Sequence, residues 1–301
     1  MATSVERNDS PMAARTTRAK VASRETPAKT RTARSRRDRR DEVSEALRLP
    51  FETRIVDGEY ITPRAFLRSA LFGVTKKGRR MHYESEQLAT VGAMRITYTG
   101  AALDQHDYDV WMHMVHRARE HGMGPKVLFT LRSFLDDLSW DKSGKSMSRL
   151  RMIFDRLFGA TVVIEMGKHR FQGHLVDAIS YSADVTDEKY YFRLSPEMAM
   201  FFAEENIAYV TIEDRKNVRG MLAKWLHAYI VADKSSQPVS IDQLWRLSRS
   251  GAARRSTFVQ SLRAALDELA VCKIIEPTFK LDAHYLYYCR SAQRAVLPVS
   301  A

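Results

Sequence analysis

The 301-residue chain has little cysteine and no long apolar run. Its two cysteines, Cys272 and Cys289, are too few for a disulfide framework and lack the partners that a zinc site requires. We therefore expect two ordinary buried thiols in a reduced protein. The first residues contain no apolar stretch of signal-peptide length, and no window approaches the roughly 18 apolar residues of a membrane span. These absences predict a cytoplasmic protein without membrane association.

The chain also lacks the spacing of common catalytic motifs. Gly144-Lys-Ser146 resembles the end of a phosphate-binding loop, but Ser139 occupies the position of the required first glycine. His113, His116 and His121 fall in one helical region without a His-Glu-x-x-His core, so no metal site is expected. Two histidines flanking one apolar residue, a pattern typical of nicking enzymes, do not occur. We predict no cofactor, no metal and no enzymatic activity.

Positive charge is abundant but unevenly distributed. The formal net charge is +12, and residues 1–40 contain 12 Lys/Arg against 4 Asp/Glu. Residues 1–46 also have almost no large apolar side chain, so they cannot bury enough surface to offset the entropy of ordering. We predict a disordered basic arm that is either simply solvated or adds non-specific, salt-sensitive DNA affinity. The rest of the chain must then bind phosphates through local patches.

One segment of the sequence occurs twice. Leu150-Arg-Met-Ile-Phe-Asp-Arg-Leu157 has a near copy in Leu262-Arg-Ala-Ala-Leu-Asp-Glu-Leu269, and each leads into a strand beginning with Ile-Glu. Upstream, Phe134–Ser139 precedes the first copy and Gln243–Ser248 the second, with a turn rich in Gly, Ser, Lys and Arg between. The order helix, turn, helix, strand is that of a winged helix-turn-helix. Two such units suggest a protein that spans adjacent stretches of DNA.

Local patterns predict the elements around the two copies. Predicted helices cover residues 61–72, 104–121, 130–138, 146–158, 218–231, 240–247 and 256–270, with another starting at Ser195. Predicted strands cover 87–91, 94–99, 162–166, 170–176, 189–194 and 209–212, with a final hairpin of 273–275 and 284–289 around 278–282. The predicted fold is α+β, with two tandem winged helix-turn-helix domains after the disordered basic N-terminal arm. We assign residues 47–213 to the first domain and 214–301 to the second, with the boundary in a polar stretch at 213–217.

In the second copy, helical periodicity separates a buried face from a free one. The predicted inward residues are Phe258, Leu262, Ala265, Leu266 and Leu269. The predicted base-contacting residues are Ser256, Thr257, Gln260, Arg263 and Ala264. Gln pairs with adenine and Arg with guanine in two-point contacts, and a small residue meets a thymine methyl. Arg254 and Arg255 precede the helix and are expected to contact phosphates, with Lys280 in the wing.

The first copy carries a less polar set. Its predicted outward residues are Ser148, Arg149, Met152 and Arg156, with Lys142 and Lys145 in the turn. Lys168, His169 and Arg170 are expected in the wing of this copy, near the DNA backbone. An exposed helix face carries Ser, Gln and Arg without any DNA contact, but two copies in matching contexts favour DNA binding. The second copy is expected to be the main sequence-specific DNA-binding unit.

A series of motifs in order resembles one protein family. The motifs are Ser69-Ala-Leu-Phe72, Glu84-Ser-Glu-Gln-Leu-Ala89, Ile96-Thr-Tyr-Thr-Gly100, Asp109-Val-Trp111, Phe129-Thr130 and the two copies of the repeated segment. From about residue 47 to the C-terminus, excluding the basic tail, the chain resembles the TrfA-type replication initiators of broad-host-range plasmids. The resemblance implies binding of direct repeats, called iterons, at a plasmid origin. It further implies a monomer active on double-stranded origin DNA and restrained by dimerisation through the first domain.

The resemblance also implies partners. Family members help to open an adjacent A·T-rich element and bring in the host initiator, the replicative helicase and the polymerase sliding clamp. Leu71-Phe72 resembles a degenerate clamp-binding motif, and a buried Leu-Phe pair at a helix end is the alternative. A transcriptional repressor, or a partition or copy-control protein on the same double winged-helix frame, is the main rival function. The first domain has a long additional segment before the first copy, more than a simple repressor needs, and this favours replication initiation.

Overall fold

The computed structural model describes residues 57–75, 80–119, 123–184, 187–235 and 237–291. The predicted basic arm over residues 1–46 lies outside these ranges. The part before the first helix-turn-helix contains β1 (Glu59–Pro63), α1 (Arg64–Leu67), β2 (Phe72–Gly73), β3 (His82–Leu88), β4 (Arg95–Ala101), β5 (Leu103–Asp104) and α2 (Gln105–Ala118). The first helix-turn-helix and its strands follow as β6 (Val127–Thr130), α3 (Leu131–Asp137), α4 (Gly144–Gly159), β7 (Thr161–Met166), β8 (His169–His174), β9 (Ala178–Asp184) and β10 (Asp187–Arg193).

The remaining elements lead into the second copy. Two short 3-10 helices, Pro196–Phe202 and Glu204–Asn206, precede β11 (Ile207–Thr211). Then come α5 (Ile212–Asn217), α6 (Met221–Ala232), β12 (Val239–Ser240), α7 (Ile241–Ser248), α8 (Arg255–Val271), β13 (Lys280–Leu281) and β14 (Tyr285–Tyr287). No helix among the described residues is long and apolar enough to cross a membrane.

Side-chain caps explain where several helices begin. Asp104 accepts hydrogen bonds from two backbone N–H groups at the start of α2 and completes a capping box with Asp107. Thr130, Ser143 and Ser240 cap α3, α4 and α7 in the same way, each accepting from a backbone N–H three residues later. These caps account for the starts of four of the six long predicted helices, and all six helices are confirmed with ends displaced by up to three residues.

The helix predicted over residues 61–72 is wrong. Residues 59–63 form β1, which pairs antiparallel with β11, so that buried Ile61 lies opposite Tyr209. Only residues 64–67 are helical. Pro63 suggested a first helical turn, but pairing with a strand nearly 150 residues away outweighs that local signal.

The two helix-turn-helix units are built into sheets with the same strand order. The first sheet runs β6-β10-β9 and the second β12-β14-β13. In each sheet, the strand that precedes the helix pair (β6 or β12) pairs with the last strand in sequence (β10 or β14). The remaining strand (β9 or β13) pairs with the other side of that last strand and lies at the edge. A helix, a strand, two helices and a two-stranded wing in this order is a winged helix. The predicted α+β fold with two tandem winged helix-turn-helix domains is confirmed.

A hairpin is inserted into the first winged helix. Between α4 and the wing strands, β7 and β8 join β3 and β4 in a separate four-stranded sheet of order β3-β4-β7-β8. The sequence predicted a single long wing from residue 162 to 194, which this division corrects. It also missed β9, whose backbone pairs with β10 over seven positions.

The end of the chain departs from prediction in a smaller way. The final hairpin forms between β13 and β14, around a turn at residues 282–284. Residues 273–275 contribute only an isolated bridge between Ile275 and Arg290. The expected strand at 273–275 and the expected turn at 278–282 are therefore wrong.

Buried apolar side chains form two clusters that meet at α6. The first cluster extends from residue 61 to 232 and the second from 218 to 286. Ala228 and Ala232 of α6 belong to the first cluster, whereas Trp225 and Leu226 belong to the second. Since one helix serves both cores, the domain boundary proposed after residue 213 stays a prediction.

A buried charge cluster lies where the two cores meet, within the compact unit of residues 41–301. The Asp109 carboxylate on α2 accepts from Arg215 Nε at 2.6 Å and from Lys224 Nζ at 2.8 Å. Arg215 is 2% exposed and Asp214 is also buried, so two residues of the expected polar boundary stretch lie in α5 and contribute to the interior, while the other three are exposed. This pairing fixes α5 and α6 against the first winged helix.

Candidate nucleic-acid interface

The recognition helix of the second copy, α8, has the predicted orientation. Phe258, Leu262, Ala265, Leu266 and Leu269 are all buried in the second core. Ser256, Thr257, Gln260, Arg263 and Ala264 are all exposed. The periodicity of apolar residues therefore correctly separated the two faces. Contact of the exposed set with DNA stays a prediction.

Packing against α7 holds this helix in place. The Trp245 and Phe258 rings stack with centroids 5.9 Å apart and planes 13° from parallel. Between the helices, Arg249 adopts the left-handed conformation at φ 51°, which turns the chain sharply after α7. Its guanidinium lies 3.9 Å from the centre of the Tyr83 ring of β3. The helix-turn-helix is thus fixed both internally and against the first winged helix.

The two arginines before α8 have different surroundings. Arg254 is exposed at the N-cap position and makes no capping hydrogen bond through its side chain. Arg255 Nε donates to Asp242 Oδ1 on α7 at 2.8 Å, and Nη2 donates to the backbone carbonyl of Ala283 in the wing turn. Only Arg254 has the free guanidinium expected of a phosphate contact.

The wing of the second copy presents side chains that the sequence did not single out. Lys280 is exposed on β13, as predicted, with its Nζ 5.9 Å from the centre of the Tyr287 ring. His284, Tyr285 and Tyr287 are also exposed, on the wing turn and β14. Alternation of apolar and polar residues in residues 284–289 signalled a strand. The predicted final hairpin already placed this strand in the wing, but it did not single out the three exposed side chains.

The recognition helix of the first copy, α4, presents a more apolar surface. Lys145 and Ser148 are exposed, and Met152 is 54% exposed. Lys142 in the turn is exposed and pairs with Asp136 at 2.7 Å. Arg149 is partly buried, and its guanidinium lies 4.7 Å from the centre of the Trp140 ring. The predicted difference in polarity between the two copies agrees with these exposures.

Arg156 does not face outward. Its Nε and Nη2 donate to Asp107 Oδ1 at 2.9 and 2.7 Å, and the Asp107 side chain is fully buried at the start of α2. The prediction that Arg156 faces DNA is therefore wrong. It lies at the margin of the face assigned from periodicity, and a buried carboxylate on another helix decides its direction.

Lys168, His169 and Arg170 are exposed, but they do not belong to the wing. They lie at the turn between β7 and β8, in the four-stranded sheet. The wing of the first copy is the β9–β10 hairpin, whose tip at residues 185–186 lies outside the described residues. The wing assignment of these three residues is therefore wrong.

Leu71 and Phe72 are buried, at 2% and 3% exposure. Phe72 is part of β2, which pairs in parallel with Leu103 of β5, and its ring packs against Tyr108 and Trp111. The pair belongs to the first core, which was the alternative to a clamp-binding motif. The prediction that these two side chains contact a sliding clamp is wrong, because neither is available at the surface.

The sequence profile described as TrfA protein matches residues 15–290. The chain belongs to the TrfA family. The predicted resemblance is confirmed, and the match begins inside the basic tail that we had expected to lie outside it. A comparison with curated protein sequences found no match.

Solved structures resemble the fold of this TrfA-family protein at low sequence identity. A crystal structure of selenomethionine derivatives of domains 2 and 3 of RctB is 13% identical, with a TM-score of 0.51, over 73% of this chain and 95% of that one. A second structure of RctB domains 2–3 is 11% identical, over 68% and 82% of the two chains, at a TM-score of 0.47. A crystal structure of the Pi initiator protein in complex with iteron DNA is 9% identical, over 61% of this chain and 94% of that one, with a TM-score of 0.45. The first of these supports the fold.

In the TrfA-family chain, equivalent positions of the two recognition helices bind the first helix of their own winged helix. Arg156 on α4 binds Asp107 at the start of α2. Glu268, at the matching position on α8, accepts from the backbone N–H groups of Arg219 and Gly220 at the start of α6, the latter at 3.0 Å. The acidic group at the helix start comes from α2 itself in one copy and from α8 in the other. Both carboxylates, Asp107 and Glu268, suit the partial positive charge of a helix N-terminus.

Burial and neighbouring charges shift the pKa values of two aspartates on α2, Asp107 and Asp109. Burial and neighbouring Asp104 raise the pKa of Asp107 to about 6, against the opposing effect of Arg156. Burial alone would also raise the pKa of Asp109, but Arg215 and Lys224 hold it below its ordinary value. Asp109 is therefore a stable anion at neutral pH, whereas Asp107 titrates nearer to neutrality.

The described residues also bear on the cysteine and metal predictions. Cys289 is exposed and Cys272 is partly buried, so the expectation of two buried thiols is wrong. Within the described ranges, no group of three His, Cys, Asp or Glu side chains is arranged to hold a metal ion. The exposed polar side chains of α8 are Gln, Ser, Thr and Arg, residue types that can hydrogen-bond to bases.

Proposed function

We propose that this TrfA-family protein is a plasmid replication initiator that binds directly repeated iterons at a double-stranded origin in the cytoplasm. The observation that carries the proposal is the duplicated winged helix, with an exposed polar recognition-helix face on α8. Family membership supports the same conclusion. One recognition helix would lie in one major groove and the second in an adjacent one.

The side chains divide by the kind of contact that they would make. On α8, Gln260 and Arg263 are suited to base edges, and the exposed Arg254 to a phosphate. On α4, Lys145 and Ser148 would contact the second site, with Met152 supplying apolar contact. The domain of residues 214–301 would thus provide most of the sequence specificity. The first domain, residues 47–213, would bind DNA or a second copy of the chain in an inactive dimer.

Opening of the duplex would draw on binding energy and DNA deformation rather than on catalysis. Bending an origin costs on the order of 1 to 6 kcal/mol, which contacts along both recognition helices can offset. Opening of an A·T-rich element would then admit the host initiator, the replicative helicase and the polymerase sliding clamp. Residues that contact the clamp are not assigned, since Leu71 and Phe72 lie in the core.

Plasmid replication tests this proposal directly. A small plasmid carrying the gene and its flanking direct repeats should replicate, and it should fail when the gene is disrupted. An Arg263→Ala gene should also fail or lower the copy number, with Arg246→Ala, an exposed arginine on α7 outside the proposed contact set, as the matched control. Replication that survives disruption, together with altered expression of a neighbouring gene, would instead identify a repressor or partition protein.

A second assay separates binding from catalysis. The purified protein should shift a labelled origin fragment without cutting it and without remaining covalently attached. Cleavage that requires a divalent metal, or a covalent protein–DNA product, would identify a nickase and overturn the proposal that the protein acts by binding alone.

A further inference from the structure

Arg255 lies where three parts of the second winged helix meet. It is the first residue of α8, its Nε binds Asp242 in the first turn of α7, and its Nη2 binds the Ala283 carbonyl in the wing turn. One guanidinium therefore joins both helices of the helix-turn-helix to the wing. A guanidinium can donate in two fixed directions at once, which a lysine ammonium on a flexible chain cannot reproduce.

The wing turn is itself well ordered by hydrogen bonds. Asp282 Oδ1 accepts from the backbone N–H groups of His284 and Tyr285 at 2.7 and 2.6 Å, and Oδ2 accepts from Tyr287 at 3.0 Å. The backbone N–H of Ile241, the first residue of α7, donates to the His284 carbonyl at 2.9 Å. Because the turn is rigid, a contact at Ala283 can set the position of the whole wing relative to α8.

We propose that Arg255 is a positioning residue that joins the second wing to the recognition helix, so that both meet DNA as one surface. This inference rests on the proposed DNA binding and replaces the expected phosphate contact of Arg255. The two roles differ in what they require of Asp242. A phosphate contact would be weakened by the nearby carboxylate, whereas the positioning role depends on it.

The charge-conserving substitution Arg255→Lys separates the roles. A phosphate contact would survive in Arg255→Lys, and only Arg255→Ala would bind less tightly. The positioning role predicts that both variants lose affinity for the repeat by about 3- to 10-fold, the size of one lost positioned contact. Arg254→Ala is the matched control, since it should lower the slope of log affinity against log salt by about 1, while Arg255→Lys leaves that slope unchanged.

Asp242→Ala tests the partner side of the same contact. Removing a negative charge close to DNA should tighten binding or leave it unchanged if Arg255 contacts a phosphate. The positioning role predicts weaker binding, and an Arg255→Ala, Asp242→Ala double variant no weaker than Arg255→Ala alone. Tighter or unchanged binding by Asp242→Ala would overturn the inference.

A measurement without DNA completes the test. Hydrogen exchange at the Ile241 amide should accelerate in Arg255→Lys, because its acceptor lies in the released wing turn. An unchanged exchange rate and wild-type affinity in Arg255→Lys would refute the positioning role while leaving DNA binding intact. If the wild-type protein binds neither repeats nor random DNA, the proposed function itself fails.

Discussion

Three arginines on the two recognition helices carry the same charge in different surroundings. Arg263 is exposed on α8, and no acidic group within the described residues forms an ion pair with it. Arg255 bridges α7 and the wing, and Arg156 binds a buried carboxylate. A guanidinium already held by protein acceptors must give them up to reach DNA. At the scale of the residue, whether an arginine is free to contact DNA therefore depends more on its neighbouring side chains than on its position along the helix.

Arg263→Ala should weaken binding to the repeat by about 1 to 3 kcal/mol and relax the preference at one base position. The reason is the loss of a two-point contact with a base edge. Competition binding with repeats substituted at each position measures both effects.

Arg254→Ala serves as the comparison for Arg263→Ala. It should weaken binding to specific and random DNA alike, because a phosphate contact carries no sequence information. Equal losses on specific and random DNA for both variants would contradict the assignment of Arg263 to a base.

His106, at the start of α2, gives the protein a predicted pH dependence. Burial, with a further contribution from Arg149, lowers the pKa of His106 to about 4 from an ordinary 6.5. The folded state therefore resists protonation of His106. Its stabilising contribution is complete above pH 6.5 and is lost as the pH falls toward 4. That loss amounts to at most about 3 kcal/mol.

Urea unfolding of the wild-type protein and His106→Gln between pH 7 and 4 measures this contribution. Asp107, with its pKa raised to about 6, acts in the opposite direction over part of the same range, so the difference between the two proteins is the informative quantity. The free energy of unfolding should fall less steeply with acid in His106→Gln. Parallel curves would show that His106 has no part in the pH dependence.

At the scale of the elements, each recognition helix binds the first helix of its own winged helix through a residue in its C-terminal half. The anchoring groups are Arg156 on α4 and Glu268 on α8, which bind the starts of α2 and α6. The exposed polar residues of α8, from Ser256 to Arg263, lie about one to three turns earlier. Apart from Arg255, which binds Asp242 and the wing turn, the N-terminal half of α8 keeps its polar side chains exposed. In other winged helices this half of the recognition helix enters a major groove.

Glu268→Ala should lower the free energy of unfolding by about 0.5 to 2 kcal/mol, since it removes the acceptor for two N–H groups at the start of α6. Chemical denaturation measures the loss. Asp267→Ala is the matched control, because Asp267 is an exposed carboxylate on the same helix, and it should change stability by less than about 0.5 kcal/mol. Similar losses in both variants would indicate a general charge effect on α8 rather than a specific cap.

At the scale of the whole molecule, the two winged helices are joined by buried charge. Asp109 lies between Arg215 and Lys224, which reach it from α5 and α6. Arg64 of α1 also donates to the Ala232 carbonyl at the end of α6. These contacts link the first core to the helix that it shares with the second. The relative position of the two recognition helices thus depends on polar groups that must stay paired.

Asp109→Asn should destabilise the protein by about 3 to 5 kcal/mol, because it leaves two cations in the interior without their anion. The midpoint of urea unfolding measures this loss. Asp136→Asn removes an exposed carboxylate that is paired with Lys142, and it should change stability by less than about 1 kcal/mol. Equal effects of the two substitutions would contradict a special role for the buried cluster.

Elements with strong local signals could be predicted from the sequence. The capped helices α2, α3, α4 and α7 and the amphipathic α8 follow from cap residues and helical periodicity. Strand partners could not be predicted in the same way, since β1 pairs with β11 and β4 with β7 across long stretches of chain. The free face of α8 was predicted because its apolar residues define it. The direction of Arg156 was not, because it depends on a carboxylate 49 residues earlier.

The sequence by itself determined that the chain has two winged-helix units and which face of α8 is exposed. The two units follow from a repeated segment in the same order of helix, turn, helix and strand. The exposed face follows from spacing within the 17 residues of α8, where helix geometry relates position to direction. Tertiary structure alone decided which strands form the wings, that Leu71 and Phe72 are core residues, and which arginines remain free. These outcomes depend on residues from 13 to more than 100 positions apart, for which local periodicity carries no information. Burial and ion pairing in the folded chain settle them.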